Sequence, residues 1–230
     1  MDLSNQRLPH SAIEDAINKP WRPIPAGRIT SDQSRRLLLA VIPSTLAIGW
    51  SFGVVAETAA LIILSCMYND LRGADEHFIL RNLFNTAGYT SFGIGALHIM
   101  CGSDVALNST AYIWIAIIGA IIFSTISVQD LRDQEGDKAS GRDSAPLVLG
   151  DLFTRWMVAL LVLFWSVACP LFFHVDWWAY IGPVGVGVWV AGTLASQRNP
   201  VGDKLSLKPW GFWLIVLYLL PFIKNSIYLR

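Results

Sequence analysis

Asp130-Leu131-Arg132-Asp133-Gln134-Glu135-Gly136-Asp137-Lys138-Ala139-Ser140-Gly141-Arg142 is the stretch on which the reading of this chain turns. Its three aspartates stand at intervals of three and four residues. On a helix that spacing aligns all three carboxylates along one face. Like charges placed side by side repel, so a counter-charge is expected to hold them. Hard oxygen ligands at this density suit Mg²⁺, which binds through a few carboxylates together with substrate phosphates. Lys138 and Arg142 follow directly and are candidates for the remaining phosphate oxygens. The plainer alternative is a solvated acidic segment with a basic tail.

The surroundings of this stretch are apolar. Of 230 residues, 53% are hydrophobic and only 15% are charged, against about 25% charged in soluble domains. Seven apolar runs lie near 36–51, 53–68, 82–100, 112–128, 153–173, 178–196 and 210–228. A membrane span takes about 17–25 residues. The expected fold is therefore all-α, an integral membrane bundle of seven transmembrane helices embedded in a lipid bilayer. Residues 1–35 are read as a polar cytosolic loop, and 36–230 as the bundle, with the Asp-rich loop at 129–151. Only Ser51-Phe52-Gly53 separates the first two runs, so they read as a tight helical hairpin. Small residues four apart (Ser91 with Gly95, Ala116 with Ala120, Gly187 with Ala191) suit close helix packing.

Charge orients this bundle. If residues 1–35 lie inside, every Lys and Arg except Lys224 and Arg230 falls on inner segments. That is the bias of a cytosolic face. It puts the N-terminal polar segment and the Asp130 segment on the same side, where both can line one cavity. The seventeen basic and seventeen acidic residues cancel, and nothing points to a nucleic acid partner. Cys66, Cys101 and Cys169 lie far apart in apolar runs and read as small hydrophobes. His98 reads as a packed histidine rather than a metal ligand.

The N-terminal segment offers Asn5, Glu14 and Asp15, followed by Lys19 and Arg22. Pro20, Pro23 and Pro25 prevent a continuous helix there. Carboxylates, a divalent metal and flanking cations form an arrangement that holds a diphosphate. An apolar cavity beneath would hold a long hydrocarbon. A prenyl diphosphate has both parts. Aromatic faces stabilise the allylic cation left after ionisation, and Tyr68, Phe84, Tyr89, Phe92, Trp114 and Phe123 are candidates for that role.

Asp130-x-x-Asp133-x-x-x-Asp137 with Gly141-Arg142 resembles the second aspartate-rich motif of the UbiA superfamily of membrane prenyltransferases. Asn18-Lys19-Pro20-x-Arg22-Pro23-Ile24-Pro25-x-Gly27-Arg28 resembles the segment trailing that superfamily's first motif. The resemblance implies a nine-helix fold, which this chain resembles without its first two helices. It implies Mg²⁺ as cofactor, with Asp130, Asp133, Asp137, Asn5, Glu14 and Asp15 as ligands. It also implies diphosphate binding by Lys19, Arg22, Lys138 and Arg142. The superfamily's first motif reads Asn-Asp-x-x-Asp-x-x-x-Asp, whereas here Gln6 follows Asn5 and the nearby acids are Glu14 and Asp15. Asp15 keeps the superfamily's distance to Asn18. This variant resembles a fungal branch that includes membrane-bound terpene cyclases, as does the stretch Tyr68-Asn69-Asp70-Leu71-Arg72-Gly73 through Asn82 to Gly95-Ala96. The implied activity is Mg²⁺-dependent transfer of a prenyl group to an acceptor, aromatic in most relatives. The alternatives are cyclisation of the prenyl diphosphate to a terpene, or an inactive truncated relative.

Overall fold

The computed structural model describes residues 2–102, 105–196 and 200–224. Among them all regular structure is helical. The chain divides into two compact units, Met1–Leu107 with Gln134–Ser144, and Asn108–Asp133 with Ala145–Arg230.

The first unit starts with two short helices, α1 (Asp2–Gln6) and α2 (Pro9–Asn18). A loop was expected here. Pro9 instead opens α2 at a position where its missing N–H costs nothing, and Pro20 disfavours helical backbone at Lys19 and ends it. α2 buries its polar side: Ser11, Glu14 and Asp15 face inward, while Ile13 and Ile17 are exposed. Turns through Pro20, Pro23 and Pro25 lead to α3 (Ser31–Ser51). A capping box starts α3: the Gln33 amide donates to Thr30 Oγ1 at 3.1 Å, and the Thr30 amide donates to Gln33 Oε1 at 2.8 Å. Gly53, at φ +71°, lets the chain double back into α4 (Val55–Ser65), which is the expected hairpin. A π-helical turn (Cys66–Asp70) and the four-residue α5 (Gly73–Glu76) lead to α6 (Phe78–Cys101). The Gly95 backbone lies against Glu57 of α4.

The second unit contains α7 (Ser109–Thr125), α9 (Ala145–Leu149), α10 (Asp151–Phe172), α11 (Ile181–Ser196), α12 (Pro200–Tyr218) and α13 (Leu220–Lys224). Its core is Ile118, Ile121, Ile122, Val158, Val162, Leu194 and Trp213. Trp114, a candidate cation-stabilising ring, is buried against Phe172 and Phe173 and serves packing. Polar pairs tie the helices internally: Trp213 Nε1 donates to Ser166 Oγ at 2.8 Å, and Trp210 Nε1 to Thr125 Oγ1 at 3.1 Å. Outward, α10 presents Phe153, Trp156, Leu160, Phe164, Val167 and Leu171, all exposed. An exposed apolar stripe over a partly polar buried face is the inverse of a soluble helix and suits a lipid surround.

Between Thr125 and Asp130 a 3₁₀ turn (Ile126–Gln129) leads into α8 (Asp130–Ser140), so the Asp-rich segment expected as a loop is helical. Leu131, Arg132, Gln134, Glu135, Lys138 and Ala139 are good helix formers, Asp130 and Asp133 suit the first turn of a helix, and Gly141 at φ +72° ends it. The boundary between the two units runs through α8.

Four segments are long and apolar enough to cross a membrane among the described residues: Ser109–Ser140, Asp151–Phe172, Trp177–Ser196 and Leu205–Ile223. The runs at 36–51, 53–68 and 82–100 are helical, yet they do not join that set. α4 has 11 residues before the π turn, short of a span, and α6 carries Arg81, Asn82, Asn85 and His98. Seven spans were expected; four meet these criteria. Residues 225–228 of the last run, and Arg198 and Arg230 of the charge argument, lie outside the described residues.

Gly187 packs directly beneath Ser166 and near Trp213, leaving no room for a Cβ. Gly187→Val should destabilise the second unit by about 1–3 kcal/mol, as overpacking does. Thermal unfolding in detergent followed by tryptophan fluorescence reads it.

Candidate active site

The first unit gathers eight charged side chains from four parts of the sequence. Arg142 is their centre, about 6% exposed. Its Nη1 lies 2.7 Å from Glu14 Oε2 and 3.3 Å from Asp137 Oδ1, and its Nε donates to Asp75 Oδ1 at 2.9 Å. Arg22 Nη1 reaches both Asp15 oxygens at 2.8 and 2.9 Å. Lys19 Nζ lies 3.7 Å from Glu14, and Arg81 Nη1 lies 3.7 Å from Asp137 Oδ2. The backbone supports the same junction. The Gly136 amide donates to Asn18 Oδ1 at 3.2 Å, and any Cβ at Gly136 would collide with that side chain.

α2 presents Glu14 and Asp15 inward because they share a face with Ser11. Asp137 lies on α8, and Arg142 follows the Gly141 turn. Asp75 stands in α5 and pairs with His10, Arg72 and Arg142. Asp70, at the end of the π turn, accepts from Ser4 Oγ at 2.9 Å and from Arg7.

Burial pushes the Asp15 carboxyl above its ordinary value, against the pull of Arg22. Burial acts the same way on Asp75, but the Arg142 and Arg72 guanidiniums outweigh it and hold that carboxyl below the usual range. For His10, burial lowers the pKa more than Asp75 raises it.

Of the residues expected in the site, Glu14, Asp15, Lys19, Arg22, Asp137 and Arg142 come together here. Asn5 Oδ1 accepts from Ser11 Oγ at 3.0 Å. Lys138 is exposed. Asp130 and Asp133 are buried on the α8 face that also bears Asp137, and Arg132 Nε donates to Asp133 at 2.7 Å. The sequence reading missed Arg81, Asp75, Arg7 and Asp70. Three of these fall within or beside the Tyr68–Asn82 stretch, where the density of charge between apolar runs was the available signal.

No three acid, His or Cys side chains converge at metal distance among the described residues. Glu14 and Asp15 are committed to Arg142, Lys19 and Arg22, so a metal does not fit the first motif in this arrangement. The α8 carboxylates fit better. They are hard oxygen donors on one helix face, and Asp137 Oδ2, with Arg81 Nη1 3.7 Å away, accepts no hydrogen bond among the described residues.

In the same unit a cavity of about 920 Å³ lies between α3, α4 and α6. Leu38, Ile42, Leu61, Ile62, Phe92 and Ile99 form apolar wall, and Ser4, Arg7 and Asp70 provide polar lining. Cys66, expected to be buried, is exposed and lines it.

Arg142→Ala would strand buried carboxylates and should cost about 3–5 kcal/mol of stability. Lys at this position should not restore it, because an ammonium lacks the planar fork. His10 gives a pH signature. Its folded-state pKa lies below 6.5, so the unfolded chain binds more protons as pH falls through that value, and stability drops. His10→Gln should flatten the stability change between about pH 7.5 and 5.5, as measured by melting in detergent.

The UbiA prenyltransferase family matches residues 10–217. A somaliensene A/B synthase of Streptomyces somaliensis is 33% identical over 153 residues, 66% of this chain and 49% of the relative. The fumagillin beta-trans-bergamotene synthase of Aspergillus fumigatus is 26% identical over 208 residues, 90% of this chain and 71% of that enzyme. A digeranylgeranylglyceryl phosphate synthase of Sulfolobus acidocaldarius is 31% identical over 155 residues, 65% of this chain and 52% of the relative. The chain thus spans about half the length of the Streptomyces and Sulfolobus proteins. No solved structure shows a significant match. With the two motif regions joined at Arg142 and the match running over most of its length, the chain belongs to the UbiA prenyltransferase family, and its outward-facing apolar helices make it an integral membrane protein.

Proposed function

We propose that this chain ionises a prenyl diphosphate and cyclises the hydrocarbon to a terpene. The observation that carries the proposal is the junction at Arg142. It joins the trailing part of the first motif to the second motif, and it collects Lys19, Arg22, Arg81 and Arg142 in one place. Arg22 and Arg142 are matched to phosphate geometry by their forked donors. Glu14 and Asp15 hold these guanidiniums in position. Asp130, Asp133 and Asp137 would hold Mg²⁺, which neutralises the diphosphate as it departs. The cluster faces the cytosol by the charge argument.

The C1–O bond of the substrate breaks and its electron pair leaves on the diphosphate. An allylic cation remains. The hydrocarbon lies in the apolar cavity, where Phe92 is the aromatic face on the wall. The apolar wall holds the hydrocarbon so that the chain's own double bonds reach C1. The names of the Streptomyces and Aspergillus relatives, and of a diterpene cyclase of Hericium erinaceus at 29% identity, favour this outcome. A second reading is prenyl transfer to an acceptor, aromatic in the form first expected. It is favoured by a polyprenyl transferase of Hericium erinaceus at 31% identity.

Membranes bearing the chain, supplied with Mg²⁺ and farnesyl or geranylgeranyl diphosphate and no acceptor, should give a cyclic product by gas chromatography–mass spectrometry. Asp133→Asn with Asp137→Asn should lower diphosphate release by about 100-fold or more without impairing membrane insertion. Full activity in that double variant would contradict the assignment. Product only on addition of a phenolic acceptor would select the transfer reading.

A further inference from the structure

The cavity in the first unit has an acid in its wall that the ionisation step does not use. Glu57, in the first turn of α4, lines it together with Thr58, Ser91, Phe92 and Gly95. His98 of α6 meets Glu57 through Nδ1–Oε1 at 2.9 Å. Both side chains are largely buried, at 18% and 21% exposure. Glu57 and His98 both lie in runs dominated by apolar residues. From Asp70 back to Glu57 the chain is nearly continuous helix, so the two lie on the order of 20 Å apart at helical rise. The cavity thus has a charged end at Arg7 and Asp70 and a second, isolated polar point far along its length.

Ionisable groups in such surroundings are costly and are kept where a task or a partner holds them. An interhelical clamp between α4 and α6 is one task for the pair. A clamp, however, gives no reason for Glu57 to line the cavity. The Gly95 backbone lies against the Glu57 stem, where a Cβ would come 3.4 Å from Glu57 Cβ. His98 Nδ1 engages Oε1 and leaves the second oxygen for another contact.

We propose that Glu57 is the base that ends the reaction in this cavity, with His98 as the positioning residue that orients it. The proposal rests on the cation-forming function above. After ring closure a positive charge sits on a carbon within the cavity. The C–H bond next to that carbon breaks, its electron pair forms a C=C bond, and the proton passes to the Glu57 carboxylate. The product is an olefin, and Glu57 returns its proton to water once the product has left. A carboxylate fixed at one point of an apolar wall also selects which hydrogen is removed, and hence which isomer forms.

The test uses membranes bearing the full chain, a prenyl diphosphate and Mg²⁺, with diphosphate release and product profile measured together. Glu57→Gln should keep diphosphate release within about 3-fold of the parent while the olefin fraction falls about 10-fold or more, replaced by alcohols from water capture. Glu57→Asp should recover part of the original olefin, and His98→Gln should shift the isomer ratio. An unchanged profile in Glu57→Gln overturns the proposal. So does parallel loss of release and thermal stability in Glu57→Gln and Glu57→Asp, which marks a clamp alone. A parent product consisting wholly of alcohol or prenylated acceptor overturns it while leaving diphosphate ionisation standing. Absence of diphosphate release from the parent removes the cation-forming function itself, and this inference with it.

Discussion

A buried guanidinium with three carboxylates around it sets the terms for the first unit. Arg142 touches Glu14, Asp75 and Asp137, and each of those acids would be prohibitive to bury alone. Removing charge from water costs several kcal/mol per ion in a protein interior, and the return depends on good geometry and further hydrogen bonds. The cluster meets that condition by spreading acids and bases over α2, α5, α6 and the end of α8. Such an arrangement is a poor means of gaining stability, because apolar residues would pack as well. It holds cations with forked donors at fixed points, which the proposed binding of a multiply charged leaving group would use.

The same logic runs through both halves of the charge set. At the first motif Lys19, Arg22 and Arg142 hold Glu14 and Asp15. At the second, Arg142 and Arg81 flank Asp137, and Arg132 holds Asp133.

Much of this was legible in the sequence. The three- and four-residue spacing of Asp130, Asp133 and Asp137 puts them on one face of any helix formed there, and the segment read as a loop is the helix α8. Ser51-Phe52-Gly53 announced a hairpin because it is all that separates two apolar runs, and Gly53 makes the turn at positive φ. Helical packing at Gly95 and Gly187 followed from small-residue spacing. Other features were hidden for physical reasons. Residues 9–18 carry Ile13, Ala16 and Ile17 at helical spacing, but that side is exposed and the acids are buried, so the apolar pattern marks the wrong face as the inner one. Asp75 and Arg81 act through contacts with Arg142 and Asp137, from segments distant in sequence. Such pairing leaves no local pattern. Asn5 and Lys138 matched a motif by position, but local geometry turned one toward Ser11 and left the other exposed.

The site depends on contact between the first and second motif regions. A double-mutant cycle between Glu14 and Arg142, using Glu14→Gln and Arg142→Gln in the full chain and read as unfolding free energy in detergent, measures that contact directly. Buried, directly bonded charges should show a coupling energy of about 1–3 kcal/mol. Additivity within about 0.5 kcal/mol would mean that Glu14 and Arg142 do not meet, and the assembled site would be contradicted.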